Sequence, residues 1–448
     1  MTASVSVPIA PIAAHDLLVF LLQIGLLLLL AICLGRLATR FHLPAVVGEL
    51  FVGVILGPTL LTHVAPGLSS WLFPSSPEQV HLLDAVGQIG LLLLVGLTGI
   101  HMDFALVRRR GATAAGVSLG GLVVPLGLGI GAGFLLPREL VPPGANPTVF
   151  ALFLGVAMCV SAIPVIAKTL MDMKLLHRNI GQLTLVAGML DDIFGWMMLS
   201  IVSAMAVGVV TPATVLVSIA YLVAVLVFSL TIGRIIVRRA LASAGKAAES
   251  GPTVVTTVVL IVLAAAGTQA LGLESVFGAF ICGILIGTVG KVDPAKLAPL
   301  RTAVLSVFAP IFFATAGLRM DLTVLVKPTV LLTGLAVLLV AILGKFVGAY
   351  AGARLTGLGK WEALALGAGL NARGVIEVIV AMVGLRLGIL SVEIYTIVIL
   401  VAIVTSVLAP PILRIAMRRL EQTSEEKTRQ LDHESWTPPP RNDVVSPT

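Results

Sequence analysis

Long apolar runs alternate with short polar connections along most of the chain, and the runs are as long as membrane-crossing helices. Thirteen such segments are read, at about 17–37, 45–61, 81–101, 112–136, 149–172, 180–208, 212–234, 252–271, 275–290, 301–318, 329–353, 362–385 and 390–414. A helix needs about twenty consecutive apolar residues to cross the hydrocarbon layer. The segments at 45–61 and 275–290 are short for that task. In lipid the backbone must satisfy its own hydrogen bonds, so the pattern predicts an all-α polytopic membrane protein with about 13 transmembrane helices.

Loop charge orients the pattern. With the N-terminus outside, the inner loops hold sixteen Lys or Arg residues, from Arg36 to Lys360, and the outer loops hold four: Arg138, Arg319, Lys327 and Arg386. That bias follows the positive-inside rule. The C-terminus is then cytoplasmic, and the polar, Pro-rich stretch 421–448 is expected to be a disordered tail. It is short for a regulatory domain and has no glycine fingerprint for a dinucleotide. The chain is 58% hydrophobic and 11% charged, with mean hydropathy +1.09, which excludes a soluble globular domain. The net charge of +7 is therefore read as inner-loop bias, with no nucleic-acid partner. Cys33, Cys159 and Cys282 all fall in apolar runs, so neither a disulfide framework nor a thiolate metal site is expected. The first 16 residues carry no Lys or Arg, so no cleaved signal peptide is expected.

The chain also repeats itself. Gly48, Gly53 and Gly57 match Gly278, Gly283 and Gly287. Gly99-Ile-His-Met-Asp-Phe104 matches Gly317-Leu-Arg-Met-Asp-Leu322. The stretch 154–175 aligns more weakly with 366–387. These matches pair segments 2 with 9, 3 with 10 and 5 with 12. Each pair is seven segments apart, an odd number, so partners cross in opposite directions. That is the signature of two inverted six-helix repeats, with segment 7 as linker and binding sites where helices are discontinuous near the midplane.

Candidate chemistry sits in the polar exceptions. Gly188-Met-Leu-Asp-Asp-Ile-Phe-Gly-Trp196 places Asp191 and Asp192 deep in segment 6. Charge at that depth is costly and is a functional-site hypothesis by default. Segment 13 has no acids at the matching place, so the pair lies outside the repeat pattern. Two such carboxylates can be neutralised by protons or by a cation, and competition between the two suffices for exchange. In segment 5, Pro164 is expected to break the helix and free backbone carbonyls and the Ser161 hydroxyl for a cation. In segment 12, Gly367-Ala-Gly-Leu-Asn-Ala-Arg-Gly374 is expected to form a second break around Asn371 and Gly374, crossing the first. Lys345 in segment 11 is read as a counter-ion to one aspartate, the alternative being a lysine that snorkels to an interface. Arg373 and Glu377 are four apart and share a helix face, which favours a structural pair over substrate contact. Glu49 is a further deep acid with two open readings, at a repeat interface or near a surface. Asp84, Asp103 and Asp321 lie near helix ends and are read as structural.

These residues resemble those of the monovalent cation:proton antiporter-2 family, within the sodium/proton exchanger superfamily. The matching stretches include Pro44-Ala-Val-Val-Gly-Glu-Leu50, Ser161-Ala-Ile-Pro-Val-Ile-Ala167, Asp191-Asp192, Phe277-Gly-Ala-Phe280, Gly344-Lys-Phe346 and Arg373-Gly-Val-Ile-Glu377. The resemblance implies a transmembrane antiporter domain at 1–420. It divides into core helices at about 81–208 and 301–414 and dimerisation helices at about 17–61 and 212–290. It implies a homodimer in the cell's inner or plasma membrane, an elevator-like core movement, and no cofactor beyond Na⁺ or K⁺ as the transported substrate. Asp192 matches the family's cation and proton carrier, with Asp191 as its companion ligand. Asp191 with Lys345 matches the pair associated with electrogenic exchange. The acid at position 191 favours Na⁺; the Pro164 motif keeps K⁺ open, and Li⁺ is a third candidate.

The alternatives are a K⁺/H⁺ exchanger or a K⁺ efflux channel-like protein on the same scaffold. An intramembrane aspartyl protease is disfavoured. It needs its acids on separate helices, whereas neighbours on one helix point about 100° apart. The chain is therefore not read as an enzyme.

Overall fold

The computed structural model describes residues 12–430, apart from 42, 75, 102–103, 176, 208–211, 290–292 and 429. Every regular element among them is helical. The chain opens with α1 (Ala14–Arg40), α2 (Ala45–Leu56), the short α3 (Leu61–Val64) and α4 (Pro66–Leu72), then α5 (Pro77–Ile100) and α6 (Phe104–Leu135). A broken span follows, α7 (Pro147–Cys159) and α8 (Ile163–Asp172), and then α9 (Asn179–Val207). Next come α10 (Pro212–Phe228), α11 (Arg234–Ala244), α12 (Gly251–Ala270), α13 (Ser275–Val289), α14 (Pro294–Ala303) and α15 (Ala309–Gly317). The chain closes with α16 (Pro328–Leu355), a second broken span of α17 (Lys360–Leu370) and α18 (Val375–Arg386), and α19 (Val392–Met417).

Ten spans among the described residues are long and apolar enough to cross a membrane, and the α17–α18 pair, bent by 45°, makes an eleventh. Pro147–Cys159 and Ser275–Val289 are shorter apolar helices. Where a span borders lipid, a single stripe is buried. In α1 the stripe is Val19, Gln23, Leu27, Ala31, Gly35 and Ala38, and Leu21, Leu22, Leu29 and Leu37 between them are exposed.

Packing sorts the helices into two sets. One contains α1, α2, α5, α12, α13 and α15; the other contains α6, α7, α8, α9, α16, α17, α18 and α19. The sets meet where α9 passes α13 and α18 passes α15. The sequence places segments 3 and 10, here α5 and α15, with the core. In the structure they pack on α13 and α2 instead. Glycine is the cause. A Cβ on Gly53 would lie 2.1 Å from the Ala314 oxygen, and one on Gly283 would lie 2.1 Å from the Gly96 oxygen. Both distances forbid any side chain, so the backbones touch, as small residues allow in lipid. The two contacts fall on glycines of the matched stretches 48–57 and 278–287. So do Gly48 against the Leu34 oxygen of α1 and Gly278 against the Ala264 oxygen of α12. In the second set, α6 and α16 close the same way, through Gly120 against the Gly348 oxygen at 2.3 Å and Gly348 against the Gly120 oxygen at 2.2 Å.

The stretch after Leu420 also departs from expectation, because its first residues dock. Glu426 accepts hydrogen bonds from the Asn179 amide at 2.6 Å and the Thr423 amide at 2.9 Å, and pairs with Arg178 Nε at 3.1 Å. Arg178 Nη2 also donates to the Leu420 and Glu421 carbonyls. The free amides at the start of α9 attract the carboxylate, as any helix N-terminus does. Residues 431–448 of the expected tail lie outside the described residues.

Candidate cation and proton site

The two broken spans face each other at their breaks. The first break is Val160–Ala162, with Val160 extended at φ −76°, ψ 143°. It falls just before Pro164, which is the second residue of α8. Proline fits that place, because a first-turn N–H has no partner within the helix. So Pro164 starts the second half-helix, and the interruption precedes it. The second break covers Asn371, Ala372, Arg373 and Gly374. The Ala162 N–H donates to the Ala372 carbonyl at 3.3 Å, which joins the breaks directly. A Cβ on Gly374 would fall 2.6 Å from Val165 Cγ2, so glycine permits the approach.

Helix α9 runs past this crossing. A Cβ on Gly188 would touch Ile166, and one on Gly195 would touch Val160. Asp191 and Asp192 lie between those contacts, both fully buried. Their surroundings differ sharply. Asp191 Oδ1 accepts from Ser118 Oγ of α6 at 2.6 Å. Asp191 Oδ2 meets Lys345 Nζ of α16 at 2.5 Å and Ser161 Oγ at 2.8 Å. Ser161 Oγ is also 2.8 Å from the Leu370 carbonyl, so its one proton serves one acceptor at a time. By contrast, neither oxygen of Asp192 has a hydrogen-bond partner among the described residues.

The carbonyls freed at the end of α7 were expected to be open to a cation. They are occupied. Arg373 donates to Ala157 O at 3.2 Å, Met158 O at 2.6 Å and Ala341 O at 2.9 Å, and Lys345 donates to Cys159 O at 2.6 Å. Two protein cations therefore cap the electronegative end of the half-helix. Arg373 also forms the expected pair with Glu377, at 3.2 Å. Ser406 donates to the Arg373 carbonyl and holds that turn from α19.

Charge counting then gives the site its character. Asp191 is paired with Lys345 and Glu377 with Arg373, all fully or almost fully buried. Among the described residues, Asp192 is the carboxylate of this crossing that has no ion-pair partner. A buried carboxylate left so is costly, and one bound proton or one monovalent cation neutralises it.

A family model described as sodium/hydrogen exchanger, transmembrane, matches residues 25–419. The chain belongs to that family. It is 32% identical over 403 residues to the Na(+)/H(+) antiporter NhaS4 of Synechocystis sp., covering 89% of this chain and 97% of that one. It is 30% identical to cation/H(+) antiporter 15 of Arabidopsis thaliana, covering 92% of this chain and 50% of the plant protein. It is also 30% identical to K(+)/H(+) antiporter 1 of Saccharomyces cerevisiae, covering 89% and 46%. The exchanger thus spans about half the length of its plant and yeast relatives. Its fold matches that of the sodium proton antiporter MjNhaP1 from Methanocaldococcus jannaschii, with TM-score 0.67, 17% identity, and coverage of 91% of this chain and 100% of that one. By family the protein is a membrane-embedded cation/proton antiporter.

Other polar residues of the exchanger separate from this site. Glu49 is half-buried on α2, in the other helix set. Asp84 pairs with Arg319, and Asp321 caps the turn that begins at Leu322. Asp103 lies outside the described residues. Trp196 stacks near Phe280 at 6.0 Å between ring centres. Asn371 is buried at the second break with both amide atoms unpartnered. Ser118 escaped the sequence reading. Its signal was present, as a lone hydroxyl between Gly116 and Gly120 on a small-residue face of segment 4.

Proposed function

We propose that the exchanger trades a monovalent cation, Na⁺ foremost, for protons at Asp192, with Asp191 and Ser161 completing the site. The single observation behind this is the Asp192 carboxylate, buried, unpartnered and in excess of the neighbouring cations. Asp191 already has three donors, one of them its counter-ion Lys345, so it shapes the site. A bound cation and a bound proton each neutralise Asp192, so each excludes the other. Alternating release on the two faces then gives coupled exchange.

The movement proposed is an elevator step, in which the set holding α6–α9 and α16–α19 slides against the other within a homodimer. The glycine contacts repeated between α2 with α15 and α5 with α13 support two inverted six-helix repeats. The loop-charge bias supports an outside N-terminus and a cytoplasmic C-terminus in the cell membrane. Relatives named as Na(+)/H(+) and as K(+)/H(+) antiporters support a second reading in which K⁺ is the cation.

Proteoliposomes with an internal pH dye test both readings. Adding Na⁺, K⁺ or Li⁺ to acid-loaded vesicles should drive proton efflux, with Na⁺ the strongest. Asp192→Asn should abolish the response to all three. Retained coupled exchange in that variant, or cation flux without proton movement, rejects the proposal. A response to K⁺ exceeding that to Na⁺ selects the second reading.

A further inference from the structure

A cavity with several polar side chains in its wall lies within the helix set that lacks Asp192. It has a volume of about 380 Å³ and is lined by α1, the end of α2, α3, α4, the first turns of α5 and the end of α15. Gln23 and Gln79 line it, each only 2% exposed. The Gln23 amide nitrogen donates to Leu72 O at 2.7 Å, and that of Gln79 donates to Asp16 O at 2.8 Å. These bonds fix both amides, because a flipped amide would set oxygen against carbonyl oxygen. Among the described residues both Oε1 atoms are then left without a partner, and so is the buried Thr315 Oγ1 on the same cavity. Thr62 and Ser69 add two hydroxyls, 3.0 Å apart. One wall is the Asp84–Arg319 ion pair, with Arg319 Nη2 at 2.5 and 2.7 Å from the two carboxylate oxygens.

Two fixed amide oxygens can only accept, so they suit a positive ligand and repel an anion. The uncommitted side chains are neutral oxygen donors, the set that replaces the water shell of an alkali cation. At about 30 Å³ per water, the space holds roughly ten waters, or one ion that keeps much of its shell. Asp84 is cancelled by Arg319, so no net charge strengthens the hold. A smaller cavity shares Asp84, Thr315 and Arg319 with this one and reaches Met382 and Arg386 on α18.

We infer that this cavity is a second, weaker site for a partly hydrated monovalent cation. It would load the exchanger from the face where α1 begins. The inference rests on the exchange reading above for its purpose but not for its chemistry.

Two measurements test it. In oriented proteoliposomes, Gln23→Leu and Gln79→Leu together should raise the apparent KM for Na⁺ added on the α1 N-terminal side about five-fold or more. The KM from the opposite face and the maximal rate should stay as in the wild type. A structural defect would change both faces alike, and that result overturns the inference, as does an unchanged KM on both. Independently, calorimetric titration of purified Asp192→Asn protein with NaCl should still show weak cation uptake, lost when the two leucines are added. Absence of uptake in Asp192→Asn overturns the inference even where exchange in the wild type is intact. Uptake that persists while wild-type exchange fails would leave this site standing and remove the transport reading alone.

Discussion

At the scale of single residues, the site works by unequal pairing of two adjacent acids. Lys345 is held by both Asp191 and the Cys159 carbonyl, so it neutralises an acid and caps a half-helix at once. Replacing it with Met should leave a buried charge alone and cost about 3–5 kcal/mol of stability. Thermal unfolding in one fixed detergent would show this as a clear fall in Tm, partly recovered in Lys345→Met with Asp191→Asn. Asp192→Asn should act in the opposite sense. It removes the uncompensated charge, so the cation-free protein should melt at a higher temperature than the wild type at neutral pH, and added Na⁺ should no longer raise it. A lower Tm for that variant would mean Asp192 has a partner after all. The acids themselves were legible in the sequence, because carboxylates in an apolar run stand out. Their division of labour was not. It depends on Ser118 of α6, Ser161 of the first break and Lys345 of α16, and on Arg373 reaching carbonyls more than 200 residues away in the chain.

At the scale of helices, close glycine contacts decide which spans travel together. On α16, Gly344, Gly348 and Gly352 recur every four residues and face Pro125, Gly120 and Gly116 of α6. Gly348→Val should force these helices apart, giving a Tm loss of several degrees and lowered exchange. Gly25→Ala, where an added Cβ meets nothing within 4 Å, should be neutral or slightly stabilising. Equal effects of the two would show that the seam is not what matters. The repeated glycines were readable as a pattern, and their spacing foretold close packing. What the pattern does not tell is the partner: α5 packs on α13 and α15 on α2. The first break was likewise misplaced by a few residues, since proline serves helix starts as readily as interruptions.

At the scale of the whole molecule, the described residues after α19 are tied to the start of the acid-bearing helix. Burial alone would push the Glu426 carboxyl up. The Asn179 and Thr423 amides and the Arg178 guanidinium outweigh it and hold the group below its ordinary 4.5. A depressed folded value means the contact contributes fully above about pH 4.5 and is lost as pH falls further. Limited proteolysis near residue 427 should therefore be slow and unchanged from pH 8 to pH 5, and fast at pH 7 in Glu426→Gln. Cleavage that rises steadily between pH 8 and pH 6 in the wild type would contradict this. Polarity had marked the whole stretch from Glu421 as tail, because composition does not show that one carboxylate finds two backbone amides and a guanidinium. The docked carboxylate also bears on engineering of the gene. Trimming at Leu420, which the hydrophilic ending invites, would strip the cap from α9 and leave the Asn179 amide and the Arg178 guanidinium without this anion, about three turns before Asp191. A cut placed after Gln430 keeps that clasp and removes only the remaining polar residues.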